Sequence, residues 1–166
     1  MTAHVAAAAD GDVQGIVGVN GDAADHVAAG AAAVLGPGQA AVCGTEQVLV
    51  DADLVVREHR AALVMLLDAY AQDPMGGSEG LQQDVKERLC DDLAARPTAA
   101  SFIAWLDGAP VGLINCIEGY STFKARPLMN IHDIAVLPGH RGAGVGQALL
   151  AAAQQHALSR GCCKLT

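Results

Sequence analysis

The sequence predicts an α/β domain over residues 54–166, with elements in the order β-α-α-β-β-β-α-β. Three observations predict it. Residues 100–106, 111–117 and 128–136 are short blocks rich in Ala, Val, Leu and Ile, as in strands. Residues 60–71, 79–95 and 144–160 instead carry apolar residues at helical spacing. Pro and Gly punctuate the boundaries: Asp73-Pro74, Pro97, Asp107-Gly108, Pro138-Gly139 and Gly161.

Residues 1–53 are Ala- and Gly-rich, with seven acidic side chains and no Lys or Arg. Little there can anchor a core, so a poorly ordered acidic extension is expected. Within it, Ala-rich residues 22–35 form a weak helix, broken by Gly36-Pro37-Gly38. Order is expected from Leu54, with residues 54–57 as a strand. Helix 60–71 places Leu63, Leu66, Leu67 and Tyr70 on one stripe and closes at Asp73-Pro74. Ser78 is the expected cap of helix 79–95, which Pro97 ends. Asp107-Gly108-Ala109-Pro110 joins two strands as a hairpin turn. Residues 120–127 read as a loop before the central strand, 128–136. After helix 144–160, Gly161 caps and residues 162–166 begin another strand.

The central strand leads into the most informative stretch. Pro138 stops it because proline cannot donate to a ladder. Arg141, Gly142, Gly144 and Gly146 then make a turn of little bulk, open to close approach of a ligand. A helix starts there with unpaired N–H groups, which is an anion site suited to phosphate or diphosphate. Charge-assisted hydrogen bonds of about 1.5–3 kcal/mol each outweigh the helix-dipole contribution of about 0.3–1 kcal/mol.

Arg141-x-x-Gly144-x-Gly146, following a strand that ends Ile134-Ala135-Val136-Leu137-Pro138, resembles the acyl-CoA signature of the GNAT N-acetyltransferase superfamily. The resemblance covers residues 54–166. It implies a mixed, mainly antiparallel sheet flanked by helices, incomplete at the C-terminal side, because such domains continue into another helix and two more strands. The part expected to be lacking often supplies a tyrosine that protonates the leaving thiolate. The resemblance also implies acetyl-CoA as co-substrate and direct attack of an amine on its thioester. Arg141, Gly142, Ala143, Gly144, Val145, Gly146 and Gln147 would hold the diphosphate, and Ile134, Ala135 and Val136 would flank the pantetheine arm. A strand N–H here would polarise the thioester carbonyl.

Asn130, His132 and Asp133 are polar residues in the middle of a strand expected to be buried, where they are costly unless satisfied. His132-Asp133 resembles the Glu-Asp pair of family members that acetylate small amines. Asp133 matches the aspartate, and His132 stands in the glutamate's place. Histidine changes charge near neutrality, which suits a base, so both are catalytic candidates. The alternative is that they only hydrogen-bond neighbouring loops. His59, His140 and His156 are expected to be solvated. Asp68, Asp73 and Asp84 read mainly as a solvated helix face, with attraction of a cationic amine as the other reading. Tyr120, Phe123 and Met75-Gly76-Gly77 are candidate lining for the acceptor pocket.

Other classes fail on specific residues. A dinucleotide fingerprint needs a third glycine where Gln147 stands, and a P-loop needs Lys-Ser/Thr where Gln147-Ala148 follow. A net charge of −8 argues against general nucleic-acid binding. No apolar run reaches the ~20 residues of a membrane span, and no secretory signal is evident. The five cysteines lack C-x-x-C spacing, so reduced thiols in a cytoplasmic protein, and no metal, are expected. The acceptor is expected to be a small-molecule or peptide amine, and a homodimer is carried as one expected assembly. The rival reading is a non-catalytic CoA-binding or interaction fragment of such a domain.

Overall fold

A computed structural model describes residues 34–35 and 47–166. Strand β1 (Val34–Leu35) runs parallel to β2 (Gln47–Asp51), and β2 runs antiparallel to β3 (Ala99–Leu106). β4 (Ala109–Ser121) and β5 (Arg126–Val136) complete a five-stranded sheet in the order β1-β2-β3-β4-β5. Helices α1 (Arg57–Gln72) and α2 (Gln83–Ala94) lie between β2 and β3, and α3 (Val145–Ser159) follows β5. The mixed, mainly antiparallel α/β fold expected from sequence is thus present. Among the described residues no helix is long and apolar enough to cross a membrane.

Strand alternation sends side chains to two faces. Phe102, Ala104, Ile114, Cys116 and Met129 meet Val145, Leu149, Ala152 and Ala153 of α3. Ile103 and Leu113 meet Ala62, Leu63, Leu66 of α1 and Cys90 of α2. The core is therefore split by the sheet, with few aromatics and many Ala contacts that let α3 sit close. Gly112 marks the closest approach. A Cβ there would stand 3.0 Å from the Ala135 carbonyl, 3.1 Å from Val145 and 3.2 Å from Leu149.

Several boundaries move. Residues 54–57 are not a strand: Asp53 accepts from the Val55 amide through its side chain and from the Val56 amide through its carbonyl, turning the chain into α1. The strand lies instead at Gln47–Asp51, inside the segment expected to be an extension, where Leu49 is buried opposite Ala104. Val34–Leu35, expected to end a helix, is a strand. The rest of that helix and the Gly36-Pro37-Gly38 break lie outside the described residues. Ser78 does not cap α2. It sits at φ 64°, and the helix starts five residues beyond it, at Gln83. Segment 120–127 is half strand, because β4 and β5 extend into a long hairpin that closes over residues 122–125. Asp107 and Gly108, at φ 50° and 78°, form the left-handed two-residue turn of the other hairpin.

Residues 162–166 pair with β5 along only part of its length. The amides of Cys163, Met129, Thr166 and Ile131 donate at 2.7–2.8 Å to Pro127, Lys164, Met129 and Thr166 carbonyls in turn, around a parallel bridge from Met129 to Leu165. From His132 to Val136 that edge of β5 has no strand beside it among the described residues. The half of the strand that carries the predicted chemistry is therefore open, and His132 and Ile134 are exposed.

Candidate functional site

The open half of β5 ends at a single turn of 3-10 helix, Pro138–His140, and the chain then enters α3 through Arg141–Gly144. Gly142 and Gly144 take φ of 80° and 83°, a left-handed region that costs an L-residue about 1–2 kcal/mol. Gly144 is the helix cap and has no side chain to satisfy the amides above it, and no acidic residue stands in the first turn. The first amide of the helix with a backbone partner is Ala148, bound to the Gly144 carbonyl at 3.0 Å. Among the described residues, the amides of Gly142, Ala143, Gly144, Val145, Gly146 and Gln147 have no acceptor. A Cβ at Gly142 would meet nothing within 4 Å, so the space beside it is open. Such a run of unpaired N–H groups at a helix entrance fits the diphosphate of an acyl-CoA.

Arg141 does not point its fork into this cradle. Its Nη2 donates to Asp73 Oδ2 at 2.8 Å and its Nε to the Val136 carbonyl at 3.0 Å. Asp73 follows α1, and its Oδ1 accepts from the Met75 amide at 3.0 Å. The Met75 amide, then Arg141, hold the Asp73 carboxyl below the usual carboxylate range. A groove of about 460 Å³ lies behind this ion pair, between α1 and β5. Leu66 and Tyr70 wall one side, Ile134, Ala135 and Val136 the other, and Asp73, Met75 and Arg141 stand among its lining. The strand residues expected beside a pantetheine arm thus face a groove of elongated-ligand size.

His132 occupies a β-bulge. Asn115 pairs with Asp133 and Cys116 with Ile131, which leaves His132 with no residue opposite. It is exposed, so the expectation of a buried polar residue is corrected for His132: the strand edge there is open to water. Asp133 is half-buried and accepts from Asn115 Nδ2 at 3.0 Å, while Asn115 Oδ1 accepts from Ser101 Oγ at 2.7 Å. Asp133 is thus held by the adjacent strand rather than by a loop. Ser101 and Asn115 are both 6% exposed. Sequence reasoning missed them, although each is a lone polar residue in an apolar strand, the same signal that marked Asp133.

The remaining candidates separate. Asp68 is paired with Lys86 at 2.8 Å and accepts from the Leu81 amide, and Asp84 lies 3.9 Å from Arg88. The first ties α1 to α2, and the second lies on the exposed face of α2. His59 and His156 are half-buried rather than solvated. His59 accepts from the Asp53 amide and tilts against Trp105, and His156 stands edge-on to Phe102. His140, also half-buried, ends the 3-10 turn. Tyr120 and Phe123 are exposed at the hairpin end of β5, opposite the groove, whereas Met75 lines it. Among the described residues no group of His, Cys, Asp and Glu is arranged to hold a metal.

Comparison with known proteins agrees with this geometry. Residues 63–166 match the family described as Acetyltransferase (GNAT) family. An uncharacterized N-acetyltransferase of Archaeoglobus fulgidus is 35% identical over 69 residues, 41% of this chain and 47% of that protein. One from Methanocaldococcus jannaschii is 36% identical over 70 residues, 42% of this chain and 31% of that protein. The match thus spans half or less of each relative. Among solved structures, the aminoglycoside acetyltransferase AAC(6')-Iy, in complex with a CoA-containing bisubstrate analogue, superposes with a TM-score of 0.61 at 22% identity, over 74% of this chain and 78% of that one. A ribosomal-protein-alanine N-acetyltransferase from Brucella melitensis biovar Abortus 2308 gives 0.60 at 22% identity, over 72% and 77%. At that identity the likeness is one of fold.

Proposed function

Since the chain belongs to the GNAT family of acetyltransferases, we propose that it transfers an acetyl group from acetyl-CoA to an amine by direct attack. The observation that carries this reading is the run of unpaired amides from Gly142 to Gln147 at the entrance to α3. Bound there, acetyl-CoA supplies the activated acyl group, and free CoA is the product. The amides hold the diphosphate with fixed dipoles that need no reorganisation. The edge of β5 from Ile134 to Val136 offers main-chain groups to the pantetheine arm.

An acceptor amine of lysine type, with a pKa of about 10.4, must lose a proton before it attacks. At pH 7 that costs about 4–5 kcal/mol. His132, exposed on its bulge beside the groove, takes that proton directly or through water. Asp133, fixed by Asn115 and Ser101, holds a negative charge nearby that favours a cationic acceptor. Proteins of this fold named for aminoglycosides and for ribosomal-protein alanine both have amine acceptors in their names, so the acceptor class is a small-molecule or peptide amine.

The test is a titration of acetyl-CoA followed by an assay of free CoA release. An amine panel should include an aminoglycoside and a peptide with an N-terminal alanine. Micromolar binding with amine-dependent release is the expected result. Binding without release from any amine leaves a CoA-binding module, and absence of binding removes the assignment.

A further inference from the structure

The Arg141–Asp73 ion pair stands in the lining of the groove that the proposed acetyl-CoA would enter. One end is fixed to β5 through the Val136 carbonyl, and the other to the segment after α1. The two partners are not equally free to move. Asp73 organises its own turn, since its side chain accepts from the Met75 amide and its carbonyl accepts from Gly76 at 2.8 Å and Ser78 at 3.2 Å. Its side chain is 17% exposed, against 54% for Arg141. Arg141 is also bonded directly to Gly142, the first residue with a free amide. When a diphosphate settles on those amides, the mobile guanidinium lies within reach of two anions. Asp73 accepts a single Nη2 bond, whereas a diphosphate carries more negative charge than one carboxylate and accepts a guanidinium bidentately.

We propose that Asp73 competes with the diphosphate of acetyl-CoA for Arg141, so that the ion pair is a latch which cofactor binding opens. This rests on the acetyl-CoA reading above and adds to it a residue that sets affinity without touching the reacting atoms. Opening the latch gives up the Arg141–Asp73 attraction, so the wild-type chain binds acetyl-CoA more weakly than it would with Arg141 already free.

Asp73→Asn is the informative variant. The Asn oxygen still accepts the Met75 amide and the main-chain bonds are untouched, so the turn is kept while the charge and the acceptor facing Arg141 are removed. By titration calorimetry D73N should bind acetyl-CoA about two- to five-fold more tightly, the range of an exposed ion pair. In an Arg141→Gln background the same change should have no effect, because there is no guanidinium to release. Should D73N melt early, D73S, whose hydroxyl also accepts the Met75 amide, replaces it. Unchanged or weaker binding by D73N overturns the latch, and so does an equal gain in the R141Q background, which would mean simple removal of charge. A wild-type chain that melts cooperatively yet binds no acetyl-CoA removes the underlying functional reading, and the latch with it.

Discussion

Replacing Gly144 with Asp, with Asn as its neutral twin, separates the stability of the α3 entrance from its ability to hold an anion. Gly144 sits at φ 83° and ψ −3°, which Asn and Asp adopt more readily than other residues. A Cβ there meets only Gln147 Oε1, at 4.0 Å, so neither substitution is obstructed. Both share the backbone cost of about 1–2 kcal/mol, which cancels between them. A carboxylate at the cap also accepts from the free amides, a gain of about 0.5–2 kcal/mol over a residue that cannot cap. G144D should therefore melt no lower than G144N. Binding runs the other way. A carboxylate about 6 Å from each charge of the diphosphate repels each one by about 3 kcal/mol at an effective dielectric of about 20. Solvent and salt reduce this, and a net loss of about 2 kcal/mol, about thirtyfold, is expected near 0.1 M salt. Calorimetric titration of both variants with acetyl-CoA, alongside thermal melts, reads the two effects separately. Equal acetyl-CoA affinity in G144D and G144N would refute the cradle.

Three further outcomes follow from the same geometry. His132→Gln should lower turnover about a hundredfold or more while leaving acetyl-CoA affinity unchanged, and full turnover would remove His132 as the base. Leu149 is fully buried between α3 and the sheet, so Leu149→Ala should cost about 2–5 kcal/mol in denaturant unfolding; a loss below about 1 kcal/mol would mean that α3 is not seated as described. Burial pushes the Cys116 thiol from 9.0 to about 12. Its contribution to stability is therefore intact below about pH 9 and is lost as pH rises toward 12, by about 4 kcal/mol over the full span. Cys116→Ala should flatten that alkaline slope in urea titrations between pH 8 and 11, and identical slopes would contradict the burial.

Much of the fold was legible because local chemistry and tertiary context agree. The Asp107-Gly108 turn, the Pro138 stop and Gly161 at φ 69° after α3 each follow from one residue's backbone preference. The glycine spacing that marks the anion cradle belongs to the same class of signal. What escaped was decided by partners distant in sequence. Gln47–Asp51 has the alternation of a strand, but the Ala- and Gly-rich chain before it suggested disorder. Its place is set by Leu49 lying against Ala104. Residues 54–56 look strand-like in isolation, yet the Asp53 side chain draws them into a turn. The β-bulge at His132 has no sequence signature, and it decides that this histidine is exposed. Arg141 was readable as a cation beside glycines, but its partner stands 68 residues earlier, beyond the reach of any local pattern.

The division of labour in the site sets which of its residues are free to change. The cofactor side consists of main-chain amides, a strand edge and two left-handed glycines. These tolerate change in most side chains as long as β5 still delivers the chain to α3. Packing beneath it is similarly permissive, since Val145, Leu149, Ala152 and Ala153 need only volume and apolarity to hold α3 on the sheet. In the proposed reaction the acceptor side has no such freedom. There the chemistry would rest on His132 on its bulge and on the Asp133 carboxylate fixed by Asn115, so a change at either residue would alter the reaction rather than the fold. As the base on that reading, His132 adds no negative charge, which leaves the attraction of a cationic amine to Asp133.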